Sequence, residues 1–312
     1  MSEELAIIIP AYKPDFLVEA VESVLNQTDR RFAVYLFDDA SLHDLKSLLE
    51  ENELLDRVQY HRFENNLGQK SITGQWNRCV ENTPGEPWIW MFSDDDVMDP
   101  ECVGQFYQAK DKHSGHPAYK FNSRKFDDSG ETVRENIFPD TFDASDFLNI
   151  KLSYRQESYI VEWVFSRKAY NKAGGFPNLP LAWAADDMFW AKIAMQQPVR
   201  TIPEARVHWR YSGKNISSKN SKKTAKVKLE SSRHFVHWIS EQNSIRENLN
   251  PDDLPASWYV RQIRSLQQHL KFFDEMAAVL KMSRIEKNVW KYYIRMKKER
   301  SKWIGWVKKF WS

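Results

Sequence analysis

The chain begins its first ordered-looking stretch with "LAIIIPAY" (residues 5–12), an apolar, β-branched run closed by a proline. No polar residue alternates within it, which is the pattern of a strand buried on both faces of a parallel sheet. In "PDFLVEAVESVLNQT", Phe16, Leu17, Ala20, Val21, Val24 and Leu25 recur at helical spacing behind Pro14 and Asp15, which suit a helix start. The alternation then repeats. "FAVYLFDDAS" (residues 32–41) predicts a second buried strand and "HDLKSLLEENELL" a second helix. "VQYHRFE" predicts a short third strand, "SITGQWNRCVENT" a third helix and "PWIWMFSDDD" a fourth strand. Strand–helix alternation of this kind predicts an α/β domain, a Rossmann-like, mostly parallel central sheet flanked by helices.

This order places the acids. Asp38 and Asp39 close the second strand; Asp94, Asp95 and Asp96 close the fourth. A single Asp at such a place is ordinary turn or N-cap chemistry. Three adjacent carboxylates repel one another unless a cation shares them. Open α/β sheets bind ligands outside the carboxyl ends of their strands. Two acidic clusters on that one edge therefore argue for a divalent cation rather than two unrelated turns.

From residue 101 to about 158 the periodicity weakens. "YKFNSRKFDDSGETVREN" predicts a hairpin turning at Asp-Asp-Ser-Gly. "SYIVEWVFSRKAY" reads as a strand running into a helix. "KAGGFPNLPLAWAADDMFWAKIAMQQ" holds a Gly/Pro loop and then a helix from Ala184, and "VRTIPEARVHWRYSGKNIS" a strand and a polar loop. Beyond residue 217 the chain is charged, helical and nearly free of glycine. The expected division is a catalytic-type domain over 1–217 and a helical C-terminal region over 218–312.

The net charge of +2 excludes a whole-chain nucleic-acid binder. Two cysteines are too few for a disulfide framework or a thiolate metal site and fit a reducing, cytoplasmic compartment. "MSEELAIIIPAYKP" starts acidic with a short apolar run, so no signal peptide is expected. No run reaches the about 18 apolar residues of a membrane span. Thirteen tryptophans are many; most are expected in packing, some as flat faces for sugars or at a membrane interface.

The ordered set "IIIPAYKP", "FDDAS", "NNLG", "WNR", "FSDDD", "GGF", "ADD" and "HWRYSGKNIS" resembles the nucleotide-sugar glycosyltransferases of family 2 over residues 5–217. Order and spacing together carry the resemblance; no single motif does. It implies the GT-A fold with an acceptor region appended, and it implies roles. Pro10, Ala11 and Tyr12 correspond to the nucleoside-contacting segment. Asp38 and Asp39 correspond to paired acids, one of which accepts the imide N–H of uracil, a task suited to an acceptor-only carboxylate. Asn66, Gly68 and Lys70 would line the nucleotide, Gly68 with a positive φ. Many members carry a basic residue before the Asn that Asn77 matches; Trp76 stands there instead, and Lys70 is the alternative source of charge. "SDDD" matches the metal motif. Asp95 aligns best with the acid that binds Mn2+ or Mg2+, Asp94 and Asp96 flank it, and Ser93 holds the first acid position. A hard cation there would neutralise the departing nucleoside diphosphate.

"WAADDMFW" matches the family's acidic pair at a helix start. Asp187, the second acid, would be the general base that takes the proton of an acceptor hydroxyl in a single inverting displacement, with Asp186 where Glu is usual. Helix-end capping is the alternative role for the pair. His208 would be a further metal ligand or phosphate contact. Arg210 and Lys214 would hold phosphate oxygens, and Trp183 and Trp209 would offer faces to a sugar.

The segment 283–312 sets only Glu286 and Glu299 against many Lys and Arg. Val289, Trp290, Tyr293, Ile294, Trp303, Trp306, Val307 and Phe310 recur at near-helical spacing. This suits either an anionic membrane surface met from the cytoplasmic side or a solvated helix packed on the domain. No nucleic acid is expected as partner. The expected activity is inverting, metal-dependent transfer from a nucleotide-sugar donor, a UDP-sugar first, to a saccharide or lipid-linked acceptor in polysaccharide biosynthesis. A sugar nucleotidyltransferase would need a Gly-rich basic loop after the first strand, and "PAYKPDFLVEA" has no glycine. A non-catalytic binding protein on a degenerate fold is the other alternative, which the departures at Ser93 and Trp76 leave open. Asp95→Ala and Asp187→Ala separate the readings in an assay of sugar transfer. Both abolish it in a transferase, and neither changes the behaviour of a scaffold.

Overall fold

The first third of the chain forms β1 (Leu5–Ala11), α1 (Leu17–Leu25), β2 (Phe32–Asp38), α2 (Leu45–Glu51), β3 (Gln59–Arg62), α3 (Ile72–Glu81) and β4 (Trp88–Met91). The computed structural model describes the backbone of residues 4–213 and 220–310, and side chains as far as residue 299. Lys214, Trp303, Trp306, Val307 and Phe310 lie outside the described side chains. In β1, Leu5, Ile7 and Ile9 enter one apolar cluster while Ala6 and Ile8 enter the other, so both faces of the strand are covered. The predicted stripe of α1 is the buried one: Leu17, Ala20, Val21, Val24 and Leu25.

The middle of the chain forms β5 (Val97–Met98), α4 (Cys102–Lys112), β6 (Ala118–Asp127), β7 (Thr132–Asn136), β8 (Thr141–Phe142), α5 (Ala144–Leu152), β9 (Trp163–Ser166), α6 (Arg167–Ala173), α7 (Ala185–Ala194) and β10 (Val199–Tyr211). The β6–β7 hairpin turns through Asp127–Gly130 as expected, with Gly130 at φ 83°. The sheet order is β3-β2-β1-β4-β9-β6-β10-β5, with β7 on β6 and β8 on β10. Parallel pairing runs from β3 through β4. Beyond β4 the sheet is mixed: β9 runs antiparallel to both β4 and β6, and β10 parallel to β6. Helices α4 and α5 lie in the stretch where the periodicity of the sequence is weak. Helix α5 starts from a reciprocal cap, Asp143 accepting from the Asp146 amide at 2.9 Å and Asp146 accepting from the Asp143 amide at 3.3 Å.

The C-terminal region forms α8 (Lys222–Ser240), α9 (Asn243–Arg246), α10 (Leu254–Leu266), α11 (Phe272–Met282) and α12 (Val289–Phe310). Its buried Phe235, Trp258, Val279, Val289 and Tyr293 belong to the same apolar cluster as Phe37 and Met91 of the sheet. Trp163 of β9 and Trp190 of α7 stack at 4.4 Å within that cluster. Val289, Tyr293 and Met296 are buried, so the described part of α12 lays its apolar stripe on the protein itself. Among the described residues no helix is long and apolar enough to cross a membrane.

Strand β6 hides its strand character behind a charge. Lys120 Nζ lies 2.9 Å from Glu162 Oε2, both side chains fully buried, and also donates to the Phe121 carbonyl at 3.0 Å. Breaking such a pair leaves an uncompensated buried charge and costs about 3–5 kcal/mol. Lys120→Met is expected to lose about that much in urea unfolding, and adding Glu162→Gln to recover most of it. A single variant as stable as the parent would contradict the burial.

Candidate active site

The C-terminal ends of β1, β2 and β4 are tied together by their own acids. Asp38 Oδ1 accepts from the Ser41 amide at 2.7 Å, and Oδ2 accepts from Tyr60 Oη at 2.7 Å and from Arg62. Asp39 Oδ1 accepts from the Leu67 amide at 2.8 Å and from Arg78 Nη2 at 2.6 Å; Oδ2 accepts from the Gly68 amide at 2.7 Å. Both carboxylates are almost fully buried. Each already serves the loops around it, with both oxygens engaged by internal donors. Asn66 Oδ1 closes the same loop by accepting from the Gln69 amide at 2.8 Å, and Lys70 is exposed beside it.

Gly68 has a different cause from the one expected. Its φ is not in the left-handed region. A Cβ there would lie 2.7 Å from Asp39 Oδ2, so the residue is glycine because the carboxylate approaches its backbone. The basic residue sought before Asn77 comes after it. Arg78 reaches Asp39 and lies 3.7 Å over the Phe63 ring. The fragment "WNR" held that signal. Asn77 itself docks the "GGF" segment: its Oδ1 accepts from the Phe176 amide at 2.8 Å and its Nδ2 donates to the Phe176 carbonyl at 3.0 Å.

Tyr12 joins three elements. Its amide donates to Asp94 Oδ2 at 2.9 Å, its carbonyl accepts from Ser41 Oγ at 2.7 Å, and its hydroxyl meets Gln69 Nε2 at 3.3 Å. Pro10 and Ala11 precede it in β1, opposite Phe37 and Asp38, and the Ala11 carbonyl accepts from the Asp39 amide at 3.0 Å. The segment expected to contact a nucleoside is thus bonded to the ends of β2 and β4.

The three aspartates after β4 do different things. Asp94 Oδ2 accepts from the amides of Tyr12 and Lys13, at 2.9 and 3.0 Å. Burial, then the charge of Asp95, push its carboxyl up to about 6 against those two bonds. Asp96 is buried and accepts from the Arg210 amide at 2.7 Å; burial and the neighbouring Asp95 raise its carboxyl well above the usual range. Asp95 accepts from Ser93 Oγ at 2.5 Å and lines a small crevice with Lys13, Asp15, Phe16, Asp94 and Ser212.

Two expected ligands are engaged elsewhere. His208 Nε2 lies 2.8 Å from Asp99 Oδ1, and Asp99 Oδ2 accepts from the Arg206 amide at 2.8 Å. The β5–β10 pairing sets His208 opposite Val97, past the triplet. Among the described residues no three His, Cys, Asp or Glu side chains form a metal-holding group. Arg210 is buried, its guanidinium 4.2 Å from the Phe16 ring and 4.5 Å from the Phe126 ring. It pairs with Glu19 at 2.5 Å and donates to the Asp95 carbonyl at 2.9 Å, so its head is held inside the protein. The donor set still fits a hard cation. The carboxylates of Asp94 and Asp96 are raised by burial and by the neighbouring Asp95 charge. A Mg2+-type ion needs only one or two carboxylates when phosphate oxygens and water complete its shell.

The second acidic pair opens α7. The loop before it is fixed to the start of α3 by Ser71 Oγ, 3.1 Å from Asn178 Oδ1. Leu181, Ala182 and Ala184 all have left-handed φ, at 57°, 51° and 62°, and Ala40 after the first acidic pair has φ 50°. Strained non-glycine backbone of this kind persists where surrounding contacts over-determine it, often at sites. Asp187 is nearly covered and lies 2.8 Å from Lys151 Nζ. Asp186 is half-buried; burial first, then the Asp187 charge, push its carboxyl up to about 7. Trp183 donates its indole N–H to Gln262 at 3.2 Å, and Trp209 stacks on Tyr159 at 4.3 Å, which covers one of its faces.

Residues 6–171, over half of the chain, match the family described as Glycosyl transferase family 2. The chain belongs to glycosyl transferase family 2. An uncharacterized glycosyltransferase of Rickettsia felis is 25% identical over 258 residues, 79% of this chain and 40% of that protein. Chondroitin synthase of Escherichia coli is 25% identical over 233 residues, 74% of this chain and 31% of that protein. The chain therefore spans less than half the length of these curated relatives. Residues 1–349 of S. aureus TarS, in complex with UDP-GlcNAc, align with a TM-score of 0.71 at 15% identity, covering 93% of this chain and 83% of that one. The mannosyltransferase PcManGT of Pyrobaculum calidifontis, with GDP-Man and Mn2+, gives 0.55 at 12% identity, covering 94% and 86%. These likenesses show the GT-A fold.

The Asp39–Gly68 approach is testable. Gly68→Ala is expected to destabilise the family 2 domain by about 1–3 kcal/mol, since the displaced carboxylate is also held by the Leu67 amide and Arg78. Gly104→Ala in α4, where a Cβ meets nothing nearer than 3.8 Å, is expected to gain about 0.5–1 kcal/mol. Equal melting temperatures for the two variants would contradict the close approach.

Proposed function

We propose that this chain moves a sugar from a nucleoside-diphosphate donor, a UDP-sugar first, to a hydroxyl of a saccharide or lipid-linked acceptor, with inversion and with a divalent cation. The observation that carries the reading is the pair of unlike acidic groups. One is crowded at the end of β4 beside the loop after β1. The other opens α7 with a carboxyl near neutrality. Unlike environments of this kind assign different roles to chemically identical groups.

In this reading Pro10, Ala11, Tyr12, Asp38, Asp39, Asn66, Gly68 and Lys70 form the nucleoside side of the cleft. Asp39 and Tyr12 are supported by the bonds that join the β1, β2 and α3 ends. Asp95, with Asp94, would hold Mn2+ or Mg2+, which when bound offsets the charge building on the diphosphate. Asp187 takes the acceptor proton as its oxygen attacks the anomeric carbon and the bond to the diphosphate breaks. Asp186 shares the titration with Asp187, so the apparent value belongs to the pair. Such a base contributes about 10²–10⁴-fold. Participation in polysaccharide assembly is part of the proposal, suggested by the similarity to chondroitin synthase.

The test is a panel of UDP-, GDP-, CDP- and dTDP-sugars with Mn2+, reading released nucleoside diphosphate and, by NMR, the anomeric configuration of the product. Release from one donor with inversion is expected. The base must be ionised to act, so the rate should rise with pH through the region of about 7 set by the acidic pair and then level off. Retention of configuration, or no release from any donor by folded protein, would overturn the reading.

A further inference from the structure

We propose that Lys151 is a positioning residue for Asp187, fixing its carboxylate and its charge from the neighbouring helix α5. This rests on the reading of Asp187 as the base. The Nζ of Lys151 lies 2.8 Å from Asp187 Oδ1 and donates to the Ser158 carbonyl at 3.0 Å, with the lysine side chain 18% exposed and the aspartate side chain 8% exposed. An ammonium held between a carbonyl and a carboxylate has little freedom to turn away. It therefore sets where the carboxylate sits as well as how it titrates.

The helix that carries Lys151 is itself fixed. Its start has the Asp143–Asp146 cap, and Asn149 clamps it to the segment after α9, donating to the Asn248 carbonyl at 2.9 Å and accepting from the Asn250 amide at 2.7 Å. The charges around Asp187 make the lysine necessary. Asp186 adjoins it on α7. Glu162 faces it from the turn before β9 and is paired with Lys120 of β6. Tyr154, after α5, feels its charge, as it feels Lys151 and Arg261 of α10. Among the described residues, the ion pairs of these acids are Glu162 with Lys120 and Asp187 with Lys151. Burial raises the Asp187 carboxyl, and Lys151 opposes that rise. Without Lys151, burial and the Glu162 charge would both push the Asp187 carboxyl further up.

The experiment compares Lys151→Met and Lys151→Arg with the parent. Two readouts are taken: the pH dependence of donor hydrolysis with UDP-GlcNAc, UDP-glucose and GDP-mannose as probes, and carboxyl titration by 13C NMR of Asp-labelled protein. Circular dichroism confirms folding, and the Arg variant keeps the test open if the Met variant unfolds. Lys151→Met is expected to move the acidic limb of the rate profile up by about one to three pH units, with the Asp187 NMR midpoint moving alike. Activity lost at pH 7 should return at higher pH, while the KM for donor changes little. Lys151→Arg should restore most of the parent profile. An active parent whose limb and NMR midpoint are unmoved in Lys151→Met would overturn the proposal alone. A parent that hydrolyses no donor, with the NMR midpoint still moved by the substitution, would overturn the transferase reading and the positioning role with it, leaving only an ion pair.

Discussion

The carboxylates at the C-terminal edge of the sheet are also its fasteners. Asp94 holds the loop after β1, Asp39 the loop before α3, Asp38 the turn after β2, and Asp96 the end of β10. A charge-assisted bond from a buried carboxylate to a backbone amide is among the stronger hydrogen bonds a protein makes. Four loops that would otherwise move separately are therefore set by four side chains. Of the four, Asp94 also lines the crevice beside Lys13 and Asp95. Fold and site share atoms, so a substitution at Asp39 or Asp94 reads on both.

The α7 side of the cleft is built differently. There the acids are held by cations. Lys120 and Lys151 come from β6 and α5, and α8 and α10 brace the loop before the pair through Ser231 on the Trp183 carbonyl and Gln262 on its indole. The C-terminal helices thus act on the site at second hand. They fix Trp183, Trp183 fixes the strained turn at Ala184, and that turn aims Asp186 and Asp187. Strain at Leu181, Ala182 and Ala184 is affordable because the aromatic cluster of Trp163, Phe176, Phe189 and Trp190 packs behind it.

Where a side chain's environment is uniform, the sequence is easy to read. Strand β1 is apolar throughout because both its faces are covered, and α1 shows its stripe because only one face is. Strand β6 is legible from its hairpin turn rather than from apolar letters, because Lys120, Asn122 and Ser123 are buried with partners and polar letters stand in core positions. At the site, the acidic pairs and their place at strand ends were legible as a pattern. Their partners were not. Arg78 is 39 residues from Asp39, and Asp99 is 109 residues from His208. No local spacing rule connects positions that far apart. The same limit explains the metal motif: adjacency in sequence suggested one shared ion, whereas the backbone turns Asp94 and Asp96 toward different amides.

With Asp94 and Asp96 so engaged, a cation has no closed cage to enter by itself and is expected to arrive with the diphosphate that completes its shell. The direct test is a calorimetric titration of UDP, GDP, CDP and dTDP, each with and without Mn2+, alongside Mn2+ alone. The account predicts one nucleotide that binds only when Mn2+ is present, no tight binding of Mn2+ alone, and loss of the nucleotide binding in Asp95→Ala. Tight Mn2+ binding without nucleotide, or nucleotide binding indifferent to Mn2+ and to Asp95, would contradict it.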